Sequence, residues 1–212
     1  KANPALFIAI GIFALAFIVL YFMQIPEPAQ EIEAQKESAE GVKDPHSALS
    51  FRHFILGAVA IFLYVGVEVG IPNFVNLFLS TPVDAVGLGY EAALAGSICG
   101  TYWFLMLIGR LFGGFLGAKF SSKAMLTFVS LLGLLFVLLA IFLPETIKVD
   151  MPVFQSDISF GLAEVPIGIM FLILCGLCTS VMWGGIFNLA VEGLGKYTAM
   201  ASGIFMVMVC GG

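Results

Sequence analysis

Charge is scarce in this chain. Only 11% of its 212 residues are Asp, Glu, Lys or Arg, against about 25% in a soluble globular domain. So few charges cannot cover a water-facing surface, which excludes a soluble enzyme and a disordered tail. The nine basic residues form no patch of the kind that holds nucleic acid, so no nucleic-acid partner is expected. The two histidines, His46 and His53, lack metal-ligand spacing to Cys or acids; no metal and no cofactor are expected. The four cysteines all fall in apolar runs, and a disulfide-stapled secreted fold is excluded. Cys175-Gly-Leu-Cys178 has redox spacing but no soluble βαβ context, and reads as soft packing inside a helix. Ser121, Ser122 and Ser180 have no base close by in sequence, so no catalytic constellation forms.

Apolar residues make up 60% of the chain, with 21 Phe, 24 Gly and a mean hydropathy of +1.07. That composition indicates an all-α polytopic membrane protein, since segments this long and uniformly apolar do not suit barrel strands. About 20 apolar residues cross the hydrocarbon core, and six runs are candidates: 5–23, 54–80, 92–116, 124–143, 165–191 and 198–212. Between the first two lies a polar stretch, 24–50, with six acids and two lysines. Lys36, Lys43, Arg52, Arg110, Lys119, Lys123 and Lys196 all fall on one side if the first run passes from outside to inside. Lys1 and Lys148 fall on the other, so the basic side is cytoplasmic. The connections at 81–91 and 144–164 are expected as external loops.

An acid in mid-bilayer costs a few kcal/mol and needs a reason. Glu68 is the one deep acid, in Tyr64-Val-Gly-Val-Glu68-Val-Gly-Ile-Pro72-Asn73. Pro72 has no N–H, so the carbonyl four residues earlier, that of Glu68, loses its helical partner. With Asn73 and Asn76 following, the segment suits a polyhydroxylated ligand or a proton; the alternative is a structural contact with another helix. Tyr102 and Trp103 offer flat faces with polar edges, which suit a sugar ring or core packing. In the fifth run Ser180, Gly184, Asn188 and Glu192 recur every fourth residue beside Trp183, a stripe fit for a neighbouring helix or an aqueous cavity. Gly109, Gly113 and Gly117 keep the same spacing and allow close helix packing. Arg110, near the cytoplasmic mouth, is expected to meet Glu192, the two latching the inner ends of their spans.

Gly109-Arg110-x-x-Gly113 followed by the basic turn Lys119–Lys123 resembles the cytoplasmic loop signature of the major facilitator superfamily, in its second-half copy. Tyr64 to Val69, Tyr102-Trp103 ahead of Gly109-Arg110, and Ile186-Phe187 through Gly193-Leu-Gly195-Lys196 with Ala201-Ser-Gly203 are similar to its L-fucose permease and glucose/galactose permease group. The resemblance implies a partial superfamily bundle: residues 1–23 the last helix of the N-terminal half, 24–50 the cytoplasmic central linker, and 51–212 helices seven to mid eleven. Lys1 in place of methionine and an ending inside the sixth run lead us to expect a fragment lacking the N-terminal half. The implied function is alternating-access transport of a hexose-type sugar with a proton as coupling ion, in a bacterial inner membrane. Substrate contacts are expected from Glu68, Asn73, Asn76, Tyr102, Trp103, Trp183 and Asn188, and a cytoplasmic gate from Gly109, Arg110, Gly113 and Glu192. Trp183-Gly184-Gly185 and Pro72-Asn73 depart from the group's pattern, which bears on the sugar's identity. The alternatives are a superfamily carrier of a drug or organic anion and, behind these, a channel or a polytopic membrane enzyme.

Overall fold

The computed structural model describes residues 4–22, 47–117, 119–154 and 159–212; most of the polar stretch 24–50 lies outside them. The chain divides into two compact units, Lys1–Pro45 and His46–Gly212. The first contains α1 (Pro4–Phe22), a helix apolar on every face, as a lipid-surrounded helix is.

The second unit is a helical bundle of α2 (Arg52–Ser80), α3 (Ala92–Gly117), α4 (Ser122–Phe142), α5 (Ile167–Val191) and α6 (Thr198–Gly211). Four of these, α2 to α5, are long and apolar enough to cross a membrane. Helix α6, at 14 residues, rises only about 21 Å. The apolar runs thus become helices to within two or three residues of their expected limits. Ser121 begins α4 by accepting the Ala124 N–H, a side-chain N-cap.

Helix α5 is the hub, packed against α2, α3 and α4. Glycines set its closest approaches. A Cβ on Gly176 would meet the Tyr102 carbonyl and ring, one on Gly109 would meet the Ser180 side chain, and one on Gly57 would meet Ala190. Gly113 is likewise blocked by Val181, whereas Gly117 faces open space. The glycine repeat of α3 therefore packs at its first two members only. These pairings run in the same direction along α3 and α5, so the two helices are parallel and both end at the basic side. The Phe51 and Tyr197 rings, 5.6 Å apart, close that end beside Arg52 and Lys196.

The opposite end corrects the sequence reading. The stretch 144–164, expected as a loop, holds an antiparallel hairpin of β1 (Lys148–Phe154) and β2 (Phe160–Pro166), with Lys148 opposite Pro166 and Phe154 opposite Phe160. Its pleat buries Met151, Val153, Ala163 and Val165 against α3 and α5, a period of two that a search for helical spans passes over. The Phe154 N–H donates to Thr101 Oγ1 at 2.9 Å, and Phe154 stacks on Phe104 at 5.3 Å. At the hairpin base Lys148 pairs with Glu164 at 3.7 Å, and the Tyr90 hydroxyl donates to the Glu164 carbonyl at 2.9 Å.

Gly176→Ala should destabilise the bundle by about 1–3 kcal/mol, as overpacking does, because its new methyl meets backbone. Gly66→Ala, with nothing within 4 Å, should instead gain up to about 1 kcal/mol of helix propensity. Thermal unfolding of the two variants in detergent checks the contrast.

Candidate functional site

Helix α2 runs unbroken through Pro72, and the carbonyl that the proline strands has a partner from another helix. The Tyr102 hydroxyl donates to the Glu68 carbonyl at 3.1 Å. It also lies 3.1 Å from Thr179 Oγ1 on α5. The Tyr64 hydroxyl, one turn before Glu68, donates to the Thr179 carbonyl at 3.0 Å. Cys99 adds a weaker bond from its Sγ to the Pro72 carbonyl at 3.3 Å. Four side chains thus tie α2, α3 and α5 together around the interior carbonyl of α2 that Pro72 leaves without a partner in its own helix, as a bilayer demands. Among the described residues no buried side-chain nitrogen or oxygen lacks a partner.

This network fixes the Glu68 side chain. Glu68 sits at the centre of the core-facing stripe of α2, between the buried Tyr64 and Pro72. Its carboxylate accepts a hydrogen bond from the Arg110 guanidinium at 3.1 Å, with Glu68 13% and Arg110 54% exposed. The geometry follows from the direction of helical side chains, which lean toward their own N-termini. Helices α2 and α3 are antiparallel, so Glu68 and Arg110 incline toward one another.

That pairing corrects the expected latch between Arg110 and Glu192. Glu192 stands at the C-cap of α5 and lines a separate apolar cavity with His53. Arg110 instead reaches back into the span to the nearest acid that leans toward it.

The ion pair forms one wall of a cavity of about 530 Å³ that also includes Ser180, Trp183 and Gly184. The Trp183 indole is held by Phe187, stacked at 5.6 Å, and by the edge of Phe205 at 6.1 Å. Arg110, Ser180 and Gly184 also border a second cavity of about 360 Å³, which contains Asn188 and Gly113. The stripe Ser180–Gly184–Asn188 therefore does both things its spacing permits. Ser180 packs on Gly109, and the residues beyond it face open volume.

Three further expectations change. Tyr102 is fully buried and offers no ring face to a solute; its ring packs on Gly176. Trp103, at a right angle to it, is 46% exposed and shares a face of α3 with Arg110, seven residues on. Asn73 and Asn76 are exposed but are not brought to Glu68. At about 100° per residue they sit about 140° and 80° around the helix from it, and Asn76 lies about 12 Å further along. Tyr64 and Thr179, which hold the centre, have no role in the sequence reading; their signal is a hydroxyl one turn from Glu68 and another beside Ser180. Cys175 and Cys178 are free and buried, in keeping with a packing role.

Residues 3–212 match the model of the Major Facilitator Superfamily. The chain belongs to that superfamily. Its all-α membrane architecture and membership of a transporter family, rather than an enzyme family, follow together. Two Brucella abortus proteins, from biovar 1 strain 9-941 and strain 2308, each described as "Glucose/galactose transporter", are 29% identical over 99% of this superfamily member and 44% of their own length. A protein of Helicobacter pylori strain J99 is 28% identical over 97% of the chain and 43% of its own length. The chain thus spans less than half the length of the curated relatives it matches. No solved structure gives a significant match.

Tyr102→Phe should cost about 1–3 kcal/mol, because it leaves the Glu68 carbonyl without a partner in a dry interior. In a Pro72→Ala background the helix can supply its own N–H, so the same change should cost less. A double-mutant cycle by thermal unfolding measures that coupling; equal costs in both backgrounds would show that the carbonyl is not the reason Tyr102 matters.

Proposed function

We propose that this superfamily member serves sugar transport: a carrier of neutral hexoses that works by alternating access and is coupled to a proton gradient. The observation that carries this reading is the Glu68–Arg110 pair on the wall of a cavity whose other side presents Trp183. A sugar hydroxyl both donates and accepts, and the pair offers carboxylate acceptors beside spare guanidinium donors. The indole supplies the flat apolar surface that a pyranose ring needs. While Glu68 is paired with Arg110, the wall of this cavity carries no net charge, which suits an uncharged solute. The printed names of the Brucella relatives support the same substrate class.

In this reading α1 is the last helix of an N-terminal half, residues 24–50 are the cytoplasmic linker, and residues 51–212 belong to the C-terminal half. Trp103, Trp183 and Asn188 join Glu68 and Arg110 as the substrate-facing set. Gly109 and Gly113 hold α3 against α5 at the cytoplasmic gate. The proposed setting is a bacterial inner membrane, whose proton gradient would supply such coupling.

The test is uptake of labelled glucose and galactose by cells producing the full-length protein. Glu68→Gln should raise the sugar dissociation constant about 10–150-fold, the worth of one charge-assisted hydrogen bond of roughly 1.5–3 kcal/mol, with expression unchanged. A protonophore should abolish accumulation. Binding within twofold of wild type in Glu68→Gln would overturn the assignment of Glu68; accumulation that survives the protonophore would overturn proton coupling.

A further inference from the structure

On the cytoplasmic side of the ion pair lies the 360 Å³ cavity, within the size range of small-molecule sites. We propose that it binds a phosphate monoester, held by Arg110, Ser122 and Asn188. Three observations carry this assignment. First, the lining holds one ionisable group, Arg110, and no acid. Second, three of the four polar side chains there can serve a ligand; the fourth, Ser180, donates its hydroxyl to the Leu177 carbonyl. Arg110 uses one of its five N–H donors on Glu68, and neither the Ser122 hydroxyl nor the Asn188 amide is engaged by another described residue. Third, Gly114, Gly117 and Gly184 line the cavity with nothing within 4 Å of where a Cβ would stand, so a bulky anion can approach the backbone. A guanidinium fork matches phosphate oxygens two at a time, and the hydroxyl and amide complete a donor set around them.

The site adjoins the sugar cavity and shares Arg110, Ser180 and Gly184 with it. A phosphate drawn to Arg110 competes with Glu68 for the guanidinium and so slackens the wall that the sugar is proposed to contact. A sugar phosphate on the cytoplasmic side would therefore restrain entry of its own precursor. The same chemistry could come from a soluble ester or from a lipid headgroup, and the experiment separates the two.

The full-length protein is placed in nanodiscs of phosphatidylcholine, and binding of inorganic phosphate and of glucose 6-phosphate is followed by calorimetry. Both probes should bind, and Gly117→Leu, which fills the cavity from a position free of clashes, should weaken them at least tenfold while leaving sugar uptake unchanged. Ser122→Ala, which removes a proposed donor that does not line the sugar cavity, serves as a second variant should Gly117→Leu fail to fold, with a loss of about tenfold expected. Doping the discs with phosphatidic acid suppresses glucose 6-phosphate binding if a lipid headgroup occupies the site, and leaves it unchanged if the source is soluble; either result fits a phosphate monoester site. Absence of binding by both probes at millimolar concentration would overturn the proposal, as would binding that both variants leave within twofold. Calorimetry needs no sugar gradient, so a failure of the sugar-transport reading leaves this test intact.

Discussion

Pro72 withholds the amide hydrogen that the Glu68 carbonyl would otherwise accept, and in hydrocarbon that carbonyl has no water to turn to. Its partner is the Tyr102 hydroxyl. To deliver that hydroxyl, the tyrosine ring must lie flat between α2 and α5, which requires a residue without a side chain at Gly176. Thr179 then shares the hydroxyl, and Tyr64 secures Thr179's own carbonyl. The register of three helices thus descends from one missing hydrogen.

The same register decides where charge can sit. With α2 and α3 locked antiparallel at Tyr102, the carboxylate of Glu68 and the guanidinium of Arg110 are brought within 3.1 Å. An acid that would be costly alone gains a partner, and a cation that would be a mere anchor at the membrane surface gains a structural post. Because Arg110 is the more exposed of the two, the pair is open on one side only. That open side coincides with the cavity that Trp183 completes.

Much of this was legible in the sequence, and the rest fails for identifiable reasons. Uncharged runs mark the helices, and the offset of four between Glu68 and Pro72 is enough to identify the freed carbonyl. The glycine repeat announced close packing at Gly109 and Gly113. What spacing along one helix cannot supply is the partner on another. Glu192 and Glu68 were both available to Arg110, and the choice depends on which side chain leans toward it once the helices pair. For the same reason spacing left Tyr102 open between a sugar ring and core packing, since a tyrosine that presents its ring to a solute and one that spends its hydroxyl on a carbonyl look alike in sequence. The hairpin was legible in principle. Val149, Met151 and Val153 alternate with polar or exposed neighbours, as do Ala163 and Val165, but seven-residue strands fall far below the length of about 20 that marks a span.

The 42-residue separation of Glu68 and Arg110 has a consequence for biogenesis. Chains grow at roughly 5–20 residues per second, so the ribosome needs about 2–8 s to make Arg110 after Glu68. Over that interval α2 exists as a membrane helix whose carboxylate has no cation. Its Pro72-stranded carbonyl has no hydroxyl either, because Tyr102 follows 34 residues behind. The least costly order of events is for α2 to wait beside the protein-lined exit of the insertion machinery until α3 is complete. The two then enter the lipid together as an antiparallel pair, with the charge already matched.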